Sequence, residues 1–189
     1  MSAITLYSGK TMDVTTPQAE DINITDIAHS LSMICRANGH FKSFYSVAQH
    51  CINCASEAYA RGYSKAVQLA CLLHDAAEAY VCDLPRPIKD GMKGFCAIED
   101  RLLDLIYRKY MHRSLTLDEL QMVKEIDDTM LCFEFDALMS KPLDLGFEPY
   151  LLSRPRFDEY DCRFVEGYYS RLVTELLREI EVCTGVYAE

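Results

Sequence analysis

At 189 residues, half of them apolar and a quarter charged, the chain is sized for one globular domain with a real core. Its net charge of -10 excludes a broad basic face for a nucleic-acid polymer, although a metal and one or two arginines can reverse the sign locally for a small anionic substrate. No apolar run is long enough to span a bilayer, and nine cysteines without framework-like spacing, behind an N-terminus lacking the blocks of a signal peptide, read as reduced thiols in the cytoplasm.

Residues 4–14 alternate weakly about Ser8-Gly9-Lys10 and are expected as a short hairpin. Asn23 or Thr25 caps a first helix through Cys35, with Ile27, Leu31 and Ile34 on one face, broken by Asn38-Gly39. A second helix is expected from Tyr45 to Ala60, buried along Val47, Cys51, Cys54 and Ala58 and stopped by Gly62; His50 borders that stripe. The third runs from Ser64 to Val81. Its middle, Leu69 to Leu73, is apolar nearly all round, which puts it at the centre of a bundle. Asp83-Leu84-Pro85-Arg86-Pro87 ends it, since proline cannot continue a helix. A turn from Gly91 to Gly94 leads to a helix from Cys96 to Met111, with Ile98, Leu102, Leu105 and Ile106 inward. Thr116-Leu117-Asp118-Glu119 reads as a capping box for a long helix to Met139. Lys141 to Pro155 is expected as loop. A last helix over 159–182 carries Phe164, Tyr168, Leu172, Leu176 and Ile180. The fold class is all-α, a single domain over 1–189 without repeats.

The residues that carry chemistry sit in the buried helices. His74-Asp75 follows the apolar run of the third helix, where polar groups cost several kcal/mol unless engaged. Alone, the pair fits a buried hydrogen bond and a ligand pair equally. Glu78 lies one turn beyond His74 on the same face, and Asp83 follows at the helix end. Asp127 is one turn from Val123 and from Leu131 and so faces inward; Asp128 is expected to be solvated. Glu134, two turns past Asp127, shares its face and reads as a core-edge salt bridge. Arg36, closing the first helix, has the planar fork that suits phosphate. Cys51-Ile52-Asn53-Cys54 has zinc-ligand spacing but lacks a second pair, and both thiols fall where the helix needs small apolar residues. Two imidazoles and two carboxylates suffice for one divalent ion, and mixed ligation suits Mn, Co, Fe, Ni or Zn better than Mg or Ca.

Cys35-Arg36-Ala37-Asn38-Gly39-His40, Tyr45-Ser46-Val47-Ala48-Gln49-His50, the His74–Asp83 segment, Leu84-Pro85-Arg86-Pro87-Ile88-Lys89, and Val123 to Asp127 with Glu134 together resemble the HD-domain phosphohydrolase superfamily. Within it the chain is most similar to bacterial 5'-deoxynucleotidases and small HD hydrolases of phages and prophages. The resemblance covers about residues 20–140, in the order His…His-Asp…Asp. It implies an HD bundle in which His50, His74, Asp75 and Asp127 ligate the metal. Glu78 and Asp83 match the acids that position or deprotonate the attacking water and protonate the leaving oxygen. Arg36 matches the arginine that grips the substrate phosphate, with His40 and Lys89 expected beside it. Those deoxynucleotidases carry a tryptophan where this chain has Ala37, a departure on the sugar or base side of the pocket. The activity implied is removal of 5'-phosphate from (deoxy)nucleoside monophosphates. The alternatives are a dNTP triphosphohydrolase, with Lys42, Arg86 and Lys89 as added cations, and a non-catalytic nucleotide-binding regulator. A small nucleotide is the expected partner, with no nucleic-acid polymer and no membrane, and a homo-oligomer is the expected assembly.

Overall fold

The computed structural model describes residues 3–139 and 141–184. Over these it is mostly helical, with a short N-terminal hairpin, as expected. Strands β1 (Ala3–Thr5) and β2 (Thr11–Asp13) pair antiparallel, with Ile4 opposite Met12. Gly9, at φ 82, turns the chain between them, and Met12 reaches the core.

The helices are α1 (Ile24–Met33), α2 (Val47–Ala60), α3 (Lys65–Leu73), α4 (Glu78–Val81), α5 (Arg86–Lys89), α6 (Lys93–Met111), α7 (Leu117–Met139) and α8 (Cys162–Thr184), with a 3-10 turn over Arg36–Gly39. Their starts follow from side-chain oxygens that accept orphan backbone N–H groups. Asn23 Oδ1 accepts from Thr25 N at 2.9 Å. Thr116 and Glu119 form the expected capping box, at 2.9 and 3.2 Å. A second box, Ser46 with Gln49, starts α2 at Val47 rather than Tyr45, because the chain there still bridges Cys35 to Ser46. Helices α6 and α8 also begin three residues from the expected positions.

Helix α3 occupies the centre, packed by α2, α6, α7 and α8, and Leu69 to Leu73 are fully buried. It does not continue to Val81 as the sequence leads one to expect. His74 Nδ1 donates to the Cys71 carbonyl at 2.7 Å, an acceptor that a continuing helix would give to the Asp75 N–H. Shorter-range bonds follow, Ala76 N to Leu73 O at 2.9 Å and Glu78 N to Asp75 O at 3.0 Å, and α4 starts a new direction. Pro87 then stands in the first turn of α5, where a missing N–H costs nothing, so the proline-rich stretch that ends one helix also begins another.

The buried face of α8 is also shifted. Val165, Tyr169, Val173 and Leu176 are buried, whereas Phe164 is 61% exposed and Tyr168 is half-buried. The helix carries two apolar stripes, and the Tyr169 hydroxyl donating to the Leu72 carbonyl at 2.7 Å selects one of them. Among the described residues no helix is long and apolar enough to cross a membrane.

Candidate metal centre

Helix α2 supplies His50, the turn after α3 supplies His74 and Asp75, and α7 supplies Asp127. Their donor atoms converge. The two Nε2 atoms are 3.1 Å apart. Asp127 Oδ1 lies 3.1 Å from His50 Nε2 and 3.8 Å from His74 Nε2. Asp75 brings its oxygens to 3.8 Å and 3.4 Å from the same two nitrogens.

Each ring is fixed from behind. Glu134 Oε1 sits 2.6 Å from His50 Nδ1, and the Cys71 carbonyl takes His74 Nδ1. With a proton on each Nδ1, both Nε2 lone pairs turn to one point, where they repel unless a cation lies between them. Histidines held on the far nitrogen by a carboxylate and a carbonyl, beside two carboxylate oxygens, fit a divalent transition metal. Without an ion, the site draws protons in its place. Burial disfavours charge on both rings, joined at His50 by Arg36, yet Cys54, Glu134 and Asp127 around His50, and Asp75, Cys51 and Asp127 around His74, hold both well above the ordinary imidazole pKa. Burial likewise opposes charge on Asp127 and Asp75, but the histidines hold both below the usual carboxylate range, Asp127 far below.

Two buried groupings could hold a metal ion through sulfur, His50 with Cys54 and His74, and Cys51 with His74 and Asp75. The sequence alone assigns both cysteines to packing, and the structure brings them within reach of the histidines. Cys54 Sγ is 3.6 Å from His50 Nε2 and 4.0 Å from Nδ1 of the same ring. A sulfur on the Nε2 lone-pair axis would be much farther from Nδ1, so this thiol packs against the ring face. Cys54 is therefore not aimed as a ligand, which leaves the nitrogen and carboxylate set and the grouping of Cys51 with His74 and Asp75.

Above these donors opens a cavity of about 500 Å³. Arg36, Asp75, Glu78, Asp83, Arg86, Lys89 and Asp127 line its polar side. Phe41, Leu131, Phe135, Leu143 and Leu145 line the other. Glu78 is buried; Lys89 Nζ lies 3.3 Å from its Oε1, and its Oε2 has no hydrogen-bond partner among the described residues. Burial, then Asp75 and Asp83, push the Glu78 carboxyl well above the usual range. Burial also raises Asp83, against the pull of Arg36. Between the two acids Cys82 adopts φ 77 and ψ 159.

Arg36 is more committed than the sequence implies. It is buried, with one terminal nitrogen 3.2 Å from Asp75 Oδ2 and the other 3.2 Å from Glu134 Oε2. Glu134 is thus no core-edge residue: it is fully buried and braces both Arg36 and His50. Its position two turns from Asp127 on one helix face was the available signal. His40 is exposed, and neither it nor Lys42 lines the cavity. Asp128 is not solvated either, since it pairs with Arg86 and Lys124. The apolar lining from Phe41, Phe135, Leu143 and Leu145 had no signal in the motifs.

Fold and site together define a helical protein with buried His, Cys and Asp groupings that could hold a metal ion. No protein-family model matches the sequence. The chain is 40% identical over 110 residues to Uncharacterized protein YfdR of Escherichia coli (strain K12), covering 58% of this chain and 59% of that protein. It is 36% identical over 111 residues to Uncharacterized protein RCAP_rcc00048 of Rhodobacter capsulatus, covering 56% of each. The matches thus span a little over half the length of these relatives.

Proposed function

We propose that this chain is an HD-type, metal-dependent nucleotide phosphohydrolase that removes the 5'-phosphate from (deoxy)nucleoside monophosphates in the cytoplasm. The observation that carries this reading is the convergence of His50, His74, Asp75 and Asp127 on one point at the base of a cavity that also holds Glu78, Asp83 and Arg36. A divalent ion held by those four would neutralise phosphate charge and acidify water. Arg36, anchored by Asp75 and Glu134, and Lys89 bind phosphate oxygens from the cavity side. Asp83 accepts the proton of the attacking water. Glu78, kept neutral by burial and neighbouring acids, holds a proton for the leaving 5'-oxygen, and its unpartnered Oε2 is the atom free to give it. The apolar side takes the sugar and base by contact area.

Charge balance favours a monophosphate. Three cations face four carboxyls in the cavity, and burial with Asp75 and Asp83 disfavours charge on one of them, Glu78. One divalent ion then brings the polar side close to what a phosphate dianion neutralises, and a triphosphate would need more. The triphosphohydrolase reading draws its support from Arg86 and Lys89, which line the same cavity but are already paired with acids. The test is a screen of nucleoside mono-, di- and triphosphates with Mn, Co and Mg, resolved by product. Inorganic phosphate plus nucleoside is expected. Triphosphate plus nucleoside would select the rival reading, and no turnover of any nucleotide would sink both.

A further inference from the structure

We propose that Arg86 is a positioning residue of the metal centre, which clamps Asp127 so that one carboxylate oxygen alone faces the ion. The proposal rests on the metal reading above and deepens it. Arg86 opens α5, a single helical turn with Pro85 before it and Pro87 within it. Its side chain, about half exposed, reaches across the cavity mouth to two successive residues of α7. One terminal nitrogen donates to Asp127 Oδ2 at 2.7 Å. The other lies 2.6 Å from Asp128 Oδ1, an ion pair rather than an aligned hydrogen bond. Lys124 Nζ holds the remaining oxygen of Asp128 at 2.7 Å.

The two oxygens of Asp127 therefore have separate partners. Oδ1 points to the histidine nitrogens, and Oδ2 is taken by Arg86. A carboxylate held in this way would offer an ion one oxygen rather than two, which would leave room for water or phosphate. Neighbouring residues of a helix point about 100° apart, and a rigid guanidinium fork can span two such carboxylates where an ammonium reaches one. The clamp also ties α5, and with it Lys89, to the helix that carries the ligand. Residues that orient a metal ligand from behind are worth about 10–100-fold in metal affinity.

Co2+ or Mn2+ affinity, measured by competition with a chelating dye, tests this. Arg86→Ala is expected to weaken binding by about 10–100-fold. Arg86→Lys should recover part of the loss, and Asp128→Asn should show a smaller loss. Combining Asp128→Asn with Arg86→Ala should add nothing to Arg86→Ala, because Asp128 acts through Arg86. Arg86 is half exposed, so the variants should keep the helical circular-dichroism signal and melt as wild type. Wild-type affinity in Arg86→Ala would overturn the clamp while leaving the metal site intact. Full recovery in Arg86→Lys would overturn the role of the fork. A wild-type protein that takes up neither metal would overturn the metal reading itself, and the clamp with it.

Discussion

Glu134 and Glu78 are both buried beside the same cluster of charges, and their pKa values are displaced in opposite directions. Glu134, on α7, faces His50 and Arg36; burial opposes its charge, but these cations hold its pKa below the usual carboxylate value. Glu78, on α4, faces Asp75 and Asp83 across the cavity, and its pKa rises well above that value despite Lys89. Both oxygens of Glu134 have partners, whereas Glu78 Oε2 has none among the described residues. Charge is thus favoured on the Glu134 side of the cluster and disfavoured on the Glu78 side. Burial pushes both carboxyls up, and only at Glu134 do neighbouring cations overcome it.

The contrast can be broken most severely at Glu134. Glu134→Ala removes the acid that Arg36 and His50 share, leaving Arg36 only Asp75, and should lower unfolding free energy by about 3 kcal/mol in chemical denaturation. Metal uptake should fall with it. A variant as stable as wild type would mean that the Glu134 side is not an electrostatic unit.

Glu78→Gln tests the other half. Turnover should drop by about 10²–10⁴-fold while metal binding and fold persist. Loss of the metal would move Glu78 among the ligands. The pH dependence follows from the raised pKa. The native state binds the Glu78 proton more tightly than the unfolded chain, so its contribution is complete below the unfolded value and is lost as pH rises through the folded one. Wild-type stability should therefore decline over that window relative to Glu78→Gln, as read from denaturation midpoints. Parallel pH profiles would show that the Glu78 pKa is not raised in the native protein. The smallest effect is expected at Cys54, whose sulfur lies on the ring face of His50. Cys54→Ala should leave Co2+ affinity and the cobalt absorption spectrum unchanged, and a lost sulfur-to-cobalt band would make Cys54 a ligand.

The inward residues of α2 and α7 were legible because helical period fixes facing. Asp127 falls one turn from Val123 and Leu131 and must point where they point. His74-Asp75 was visible because polar residues in an apolar run need partners. The break at His74 was not legible, since neither glycine nor proline marks it. Its cause is a side-chain bond that takes the Cys71 carbonyl from the backbone, and a histidine at that position does not by itself announce such a bond. The face of α8 was not legible because both stripes are apolar and only the contact of Tyr169 with α3 chooses between them. Arg86 and Asp127 are 41 residues apart, and nothing local to either names the other. His40 sits beyond Ala37 and Asn38, both of positive φ, and this turn carries it out to the surface.

Cys82 remains, in a backbone region that is nearly reserved for glycine, on the link between Glu78 and Asp83. Such a conformation costs about 1–3 kcal/mol, and a neighbouring framework must enforce it. Here the Cys82 N–H is tied to the Glu78 carbonyl at 2.9 Å, and the prolines that follow stiffen the other side. The bend is costly to folding, and it is also what turns the chain so that Asp83 lines the same cavity as Glu78.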